Sequence, residues 1–215
     1  MEELLQNTDF QRLCTFQSGK AFLTGKLQLT TGLAAFQLWF PDLFKFYKQT
    51  MDRLKAALPL LVFPVAKSIF PGMSVNFGGK VACYRHCDTN NLAYGICAIT
   101  PVGRFDHTQS AQLVLEEPRL IVEVPAASTT FIMSSCCSHS NPPLGPEEIR
   151  FSFTQYAAGP IFRYVQNHCM TEKALKLANP VAWQVNQFLK DDAWAKGVSL
   201  LPTVETFIDY DDLYL

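Results

Sequence analysis

The sequence predicts an α+β fold, a jelly-roll core of short antiparallel strands with helices packed on its flanks. Three observations predict it. Between residues 71 and 157 short apolar, β-branched or aromatic runs alternate with Gly and Pro breaks at close spacing. Before that core, Leu43, Phe44, Tyr47, Met51, Leu54 and Leu58 recur at three- and four-residue intervals, a helical period. After Gly159-Pro160 the helical spacing returns with Phe162, Val165 and Met170, then Trp183, Val185, Phe188 and Leu189.

Residues 1–40 lack sustained periodicity, and Lys26 to Leu29 reads as a short strand. Pro41 suits the first turn of the next helix, because its missing N–H has no intrahelical partner there, and Pro59 ends that helix. Strands are expected at 74–77, 80–88, 93–100, 112–116, 119–124, 128–133 and 148–156. They are separated by Gly78-Gly79, Pro101-Val102-Gly103, Glu117-Pro118, Pro125 and the loop from Asn141 to Pro146. Two helices follow, divided at Asn179-Pro180, and the chain closes on Glu205, Asp209, Asp211 and Asp212 interleaved with Phe207, Tyr210 and Tyr214.

A chain of 215 residues and 24.2 kDa is long enough for one domain with a sizeable core. One domain over 1–215 is expected: 1–70 as N-terminal helical support, 71–157 as the jelly-roll core, 158–215 as C-terminal helices and acidic tail. The net charge of −1 excludes a global attraction to phosphate backbones. Basic residues crowd the N-terminal third, at Lys20, Lys26, Lys45, Lys48, Arg53, Lys55 and Lys67, as a solvated helix face or a local backbone-tracking face. No apolar run is long enough to span a bilayer, and the acidic start Met1-Glu2-Glu3 has no signal-peptide character. Seven cysteines without a CxxC pair or scaffold spacing read as reduced thiols, in nucleus or cytoplasm. The oligomeric state is not legible.

The chemistry concentrates in Tyr84-Arg85-His86-Cys87-Asp88-Thr89-Asn90-Asn91. On a strand, residues two apart share a face, so His86 and Asp88 would present an imidazole and a carboxylate together. That is two-thirds of the 2-His-1-carboxylate set that holds non-haem Fe(II). A third ligand must come from His107, His139 or His168, and His139 lies in suitable surroundings between an apolar run and a Pro break. Downstream, Arg150 and Ser152 again share a face. A guanidinium fork with a hydroxyl suits one end of a dicarboxylate. HxD, a distal His and then RxS is the order found in Fe(II)/2-oxoglutarate dioxygenases.

Plainer roles stand beside each of these. His86 and Asp88 could be a polar strand end, His139 a loop cap, and Arg150 a surface partner of Glu147 or Glu148. Tyr84, sharing a face with His86, is placed near the cofactor or in the core. Asn76 bonds 2-oxoglutarate or begins a turn; Asn91 positions substrate or caps a strand. Cys136 and Cys137 read as small packing groups rather than ligands, and His107 and His168 as surface residues.

From about Trp39 to Arg163 the chain resembles the basidiomycete branch of the TET/JBP-like 2-oxoglutarate dioxygenases. The resemblance rests on Trp39-Phe40-Pro41, Asn76-Phe77, His86 to Gly95, Gly103-Arg104-Phe105-Asp106, Pro125, Ser134-Ser135 leading to His139-Ser140-Asn141, and Glu148 to Ser152 running into Thr154-Gln155-Tyr156-Ala157-Ala158-Gly159. It implies a double-stranded β-helix with His86, Asp88 and His139 on Fe(II), and Arg150 with Ser152 on the far carboxylate of 2-oxoglutarate. It also implies O2-dependent oxidation of a methyl group on a modified nucleobase in DNA, 5-methylcytosine being the familiar case. The same chemistry on a small molecule or protein side chain, or a catalytically dead barrel used for binding, are the alternatives. Where the family has paired glycines after Phe105-Asp106, this chain reads His107-Thr108-Gln109-Ser110-Ala111. Its N-terminal region is also short. A rebuilt loop is therefore expected.

Overall fold

The computed structural model describes residues 26–61 and 68–203, with side chains from residue 33 onward. The stretch from 204 on, with its acidic and aromatic residues, and Lys20 and Lys67 lie outside the described residues, as does the side chain of Lys26. Among the described residues two helices come first, α1 (Lys26–Trp39) and α2 (Pro41–Ala57). Eight strands follow: β1 (Gly72–Asn76), β2 (Cys83–His86), β3 (Cys97–Arg104), β4 (Leu113–Leu115), β5 (Leu120–Val122), β6 (Thr130–Ile132), β7 (His139–Asn141) and β8 (Ile149–Tyr156). Then come α3 (Gly159–Gln166), α4 (Glu172–Ala178), α5 (Pro180–Asp191) and α6 (Ala193–Val198). Among the described residues no helix is long and apolar enough to cross a membrane.

The strands form two antiparallel four-stranded sheets, ordered β1-β8-β3-β6 and β2-β7-β4-β5. In the first, β8 is a long central strand, paired with β1 from Ser152 to Tyr156 on one side and with β3 from Ile149 to Gln155 on the other. Its alternation sorts the residues. Arg150, Ser152, Thr154 and Tyr156 face the second sheet, while Phe151 and Gln155 are buried on the opposite face. Gly103 sits opposite Arg150 with φ of 134°. A Cβ there would come within 2.1 Å of the Ile149 carbonyl oxygen, so only glycine lets β3 and β8 approach so closely beside Arg150.

Two apolar cores hold the layers. Between the sheets, Cys97, Leu113, Val124 and Ile132 pack with Ile99, Leu115, Val122 and Tyr156. On the outer face of the first sheet, Phe36, Leu43 and Tyr47 of α1 and α2 pack on Ile96, Ala98, Phe70 and Phe162. Phe36 is fully enclosed, its ring centroid 5.3–5.6 Å from those of Phe40, Tyr47, Phe70 and Phe131. Tyr47 adds a polar tie, its hydroxyl accepting the Ile96 N–H at 3.0 Å. Burial pushes that phenol far above its ordinary pKa.

Several elements depart from the expectations. Lys26 to Leu29 opens α1 instead of forming a strand. Thr30, Thr31 and Gly32 are poor helix formers, but docking Phe36 among aromatics outweighs their propensity. The strand expected at 93–100 runs from 97 to 104, because Leu92 to Gly95 form a turn closed by Gly95 N–H to Leu92 O at 2.8 Å. Pro101 stays inside β3, where the partner β6 has already ended and a missing N–H costs little. Among the described residues four helices follow β8, not two. The division at Asn179-Pro180 holds, with the Asn179 side chain accepting from Ala182 N–H, but a further break falls at His168 and Cys169, both left-handed. In the loop after Asp106, Ala111 adopts φ of 57°, so a left-handed position survives without glycine.

Phe36→Ala should lower the unfolding free energy by about 3–5 kcal/mol, whereas Phe188→Ala, 73% exposed on α5, should change it little. Urea midpoints for both variants against wild type check the contrast.

Candidate metal centre and adjoining cavity

β2 and β7 pair antiparallel with His86 directly opposite His139, and the two ring centroids are 4.3 Å apart. Each imidazole is turned by a backbone carbonyl: His86 Nδ1 is 2.7 Å from Tyr84 O and His139 Nδ1 is 3.0 Å from Cys137 O. A carbonyl only accepts, so each Nδ1 carries a proton, and in the neutral tautomer this leaves the Nε2 lone pair free. Asp88 brings Oδ1 to 3.7 Å from His86 Nε2. Ligand atoms of His86, Asp88 and His139 all lie within 4.8 Å of one another. Two imidazoles and a carboxylate suit a borderline divalent metal.

Strand alternation is not what aligns this group. The register of β2 against β7 passes from Cys83↔Asn141 to His86↔His139, so Tyr84 and Arg85 together oppose Ser140 alone. This bulge reverses the facing of β2. Cys83 and His86, three apart, both line the cavity, whereas Tyr84 is 96% exposed. The expected place of Tyr84 beside the cofactor is thereby corrected; what it offers His86 is its carbonyl. β2 ends at His86, and Asp88 lies in the following loop. There its N–H donates to Ser134 O at 2.8 Å. The Asn91 amide donates to Asp88 Oδ2 at 3.3 Å and to Ser134 Oγ at 3.1 Å, with buried Cys97 Sγ 2.8 Å from that hydroxyl. Burial pushes the Cys97 thiol up to about 11. Asn91 therefore holds the carboxylate that could bind a metal, a use not foreseen for it.

A cavity of about 480 Å³ opens beside the three residues. Arg150, Ser152, Asn76 and Asn91 line it, together with Ser74, Cys83, Thr154 and Tyr156, which the sequence reading did not single out. Continuing the alternation past Ser152 would have found Thr154 and Tyr156. Asn76 donates its amide to Ser152 Oγ at 3.0 Å. Arg150 is 7% exposed. One of its terminal nitrogens donates to Val81 O at 3.3 Å, and its Nε is buried without a partner. Desolvation pulls its pKa below the ordinary guanidinium value. The surface ion pair with Glu147 or Glu148 does not form. Glu148 instead accepts from Asp106 N–H, Ser110 Oγ–H and Gly145 N–H, which hold its carboxyl below the usual range. A buried cation without a counterion among the described residues calls for an anionic ligand.

Neither Cys136 nor Cys137 joins the ligand group or the cavity. His107 lies 3.9 Å from Glu123, and His168 is exposed. On α2, Lys45 pairs with Asp42 at 3.0 Å and Lys48 with Asp52 at 2.5 Å, which neutralises much of the expected basic face. Asn91→Ala should weaken divalent-metal binding about tenfold by freeing the Asp88 carboxylate, and calorimetric titration with Mn(II) reads that loss.

No family model and no curated protein matches the chain. Among solved structures it has a distant likeness to one of NgTET1 in complex with 5mC DNA, at 16% sequence identity and a TM-score of 0.39. The alignment covers 72% of this chain and 53% of that one, so the chain spans about half the length of that structure's protein.

Proposed function

We propose that this protein is an Fe(II)/2-oxoglutarate-dependent dioxygenase built on a jelly-roll barrel. His86, Asp88 and His139 would hold the iron, and Arg150 with Ser152 would bind the far carboxylate of 2-oxoglutarate. A buried guanidinium with an unsatisfied Nε and no carboxylate partner among the described residues, in the same cavity as a His/Asp/His group, is the observation that carries this assignment. The cavity volume also falls within the range of small-ligand sites.

With both groups bound, the site would supply O2-dependent oxidation of a substrate C–H bond, 2-oxoglutarate leaving as succinate and CO2. The residues of this chain do the rest. Tyr84 and Cys137 carbonyls keep protons on Nδ1 of His86 and His139 and so keep Nε2 available. Asn91 restrains Asp88 through Oδ2, leaving Oδ1 toward the histidines. Arg150 offers a charged donor pair in a water-poor setting, where a carboxylate gains most. Ile99 and Leu113 contribute apolar wall.

The substrate proposed first is a methylated nucleobase in DNA, from the motif resemblance that runs from Trp39 to Arg163. A second reading, oxidation of a small molecule or protein side chain, is favoured by the pairing of Lys45 and Lys48 with acidic neighbours on α2. Phosphate binding needs uncommitted cations.

A 5-methylcytosine duplex incubated with protein, Fe(II), ascorbate and 2-oxoglutarate decides between them, with succinate and base masses measured together. Oxidised base with equimolar succinate is expected, and His86→Ala should abolish both. Succinate above control with unchanged base would move the substrate to the second reading, and the absence of both products would overturn the oxygenase assignment. Arg150→Met should raise the KM for 2-oxoglutarate at least about tenfold, from loss of a charge-assisted bond.

A further inference from the structure

We propose that Glu117, on the turn between β4 and β5, is a positioning residue for the metal centre and acts through Ser138; this rests on the metal assignment above. Both oxygens of its carboxylate are engaged. Oε2 accepts the Ser138 N–H at 2.6 Å, and Oε1 accepts the Ser138 hydroxyl at 2.7 Å. Glu116 N–H donates to the Ser138 carbonyl at 3.0 Å. The one hydroxyl hydrogen of Ser138 is given to a carboxylate, which only accepts, so the 3.3 Å contact with Cys87 Sγ is the thiol donating to the hydroxyl oxygen. Every polar atom of Ser138 is thus held.

Both ligand segments meet at this residue. Along the backbone, Ser138 stands between Cys137, whose carbonyl orients the His139 ring, and His139 itself. Through its hydroxyl it reaches Cys87, which stands between His86 and Asp88. One carboxylate on the surface therefore fixes the peptide before one ligand and the residue between the other two. Neither Glu117 nor Ser138 lines the cavity, which separates this role from substrate contact. The short, doubly hydrogen-bonded geometry also holds the Glu117 carboxyl down at about 2, chiefly through Ser138. The clamp is thus intact above the ordinary carboxylate range and is lost only as pH falls toward that value.

Co(II), titrated into the full chain by visible absorption, is the probe, with thermal melts of the metal-free variants alongside. Glu117→Ala should weaken Co(II) binding about tenfold and alter the absorption bands, with little change in the metal-free melt. Ser138→Ala should weaken binding in the same direction, and Glu117→Gln, which keeps one acceptor, should fall between wild type and Glu117→Ala. Glu123→Ala, an exposed glutamate paired only with His107 among the described residues, should leave binding unchanged. Wild-type affinity and spectrum in both Glu117→Ala and Ser138→Ala would overturn the proposal, and Ser138→Ala decides if Glu117→Ala fails to fold. His86→Ala in the same series keeps the two proposals apart. Its loss of Co(II) binding leaves the metal assignment standing whatever Glu117 does, and its unchanged binding would overturn both.

Discussion

The site depends on one extra residue in β2. Because Tyr84 and Arg85 together face Ser140, the ladder slips and His86 arrives directly across from His139 with its ring turned inward. Without that bulge, His86 and Cys83 would point to opposite faces, and the two imidazoles could not meet. The bulge also pushes the Tyr84 ring into solvent while leaving its carbonyl on His86 Nδ1. One local irregularity thus supplies both the orientation and the tautomer of a candidate ligand.

The second sheet is short-stranded, and its ligand-bearing end is braced from outside the ladder. Asp88, in a loop, is tied through Asn91 and Ser134 to the buried Cys97 of the opposite sheet. Ser138, before His139, is tied through Glu117 to the β4–β5 turn. Polar bonds of this kind are modest singly, and they gain from convergence: each braced residue has few conformations left. The first sheet needs no such bracing. Its central strand β8 has a partner along each side, and its outer face is covered by the aromatic cluster around Phe36.

Arg150 shows how fold and site constrain each other. Its strand position makes it face inward, Gly103 lets the neighbouring backbone close over it, and no carboxylate among the described residues meets it. A folded protein that keeps a cation in such a place carries a cost on its own account, which an anionic ligand relieves. Glu148, two residues earlier and just outside β8, is spent on Asp106, Ser110 and Gly145 instead.

By itself the sequence determined what periodicity and residue type can carry. The helix from Pro41, the inward face of β8 with Arg150 and Ser152, and the histidine and carboxylate that meet were all legible. The first two depend on spacing within one element and the third on a scarcity of candidates, there being four histidines in the chain. Strand alternation is not what brings His86 and Asp88 together. Tertiary structure decided the rest. A bulge leaves no residue signature in Cys83-Tyr84-Arg85-His86, so the exposure of Tyr84 followed only from pairing with β7. The helix at Lys26 depended on aromatic partners distant in sequence, Phe70 and Phe131 among them. The roles of Asn91, Ser134, Glu117 and Ser138 depended on loops distant in sequence that the strand pairing and sheet packing bring together. Hydrogen bonds between segments far apart in the chain are set by the packing of the whole, and no local pattern announces them.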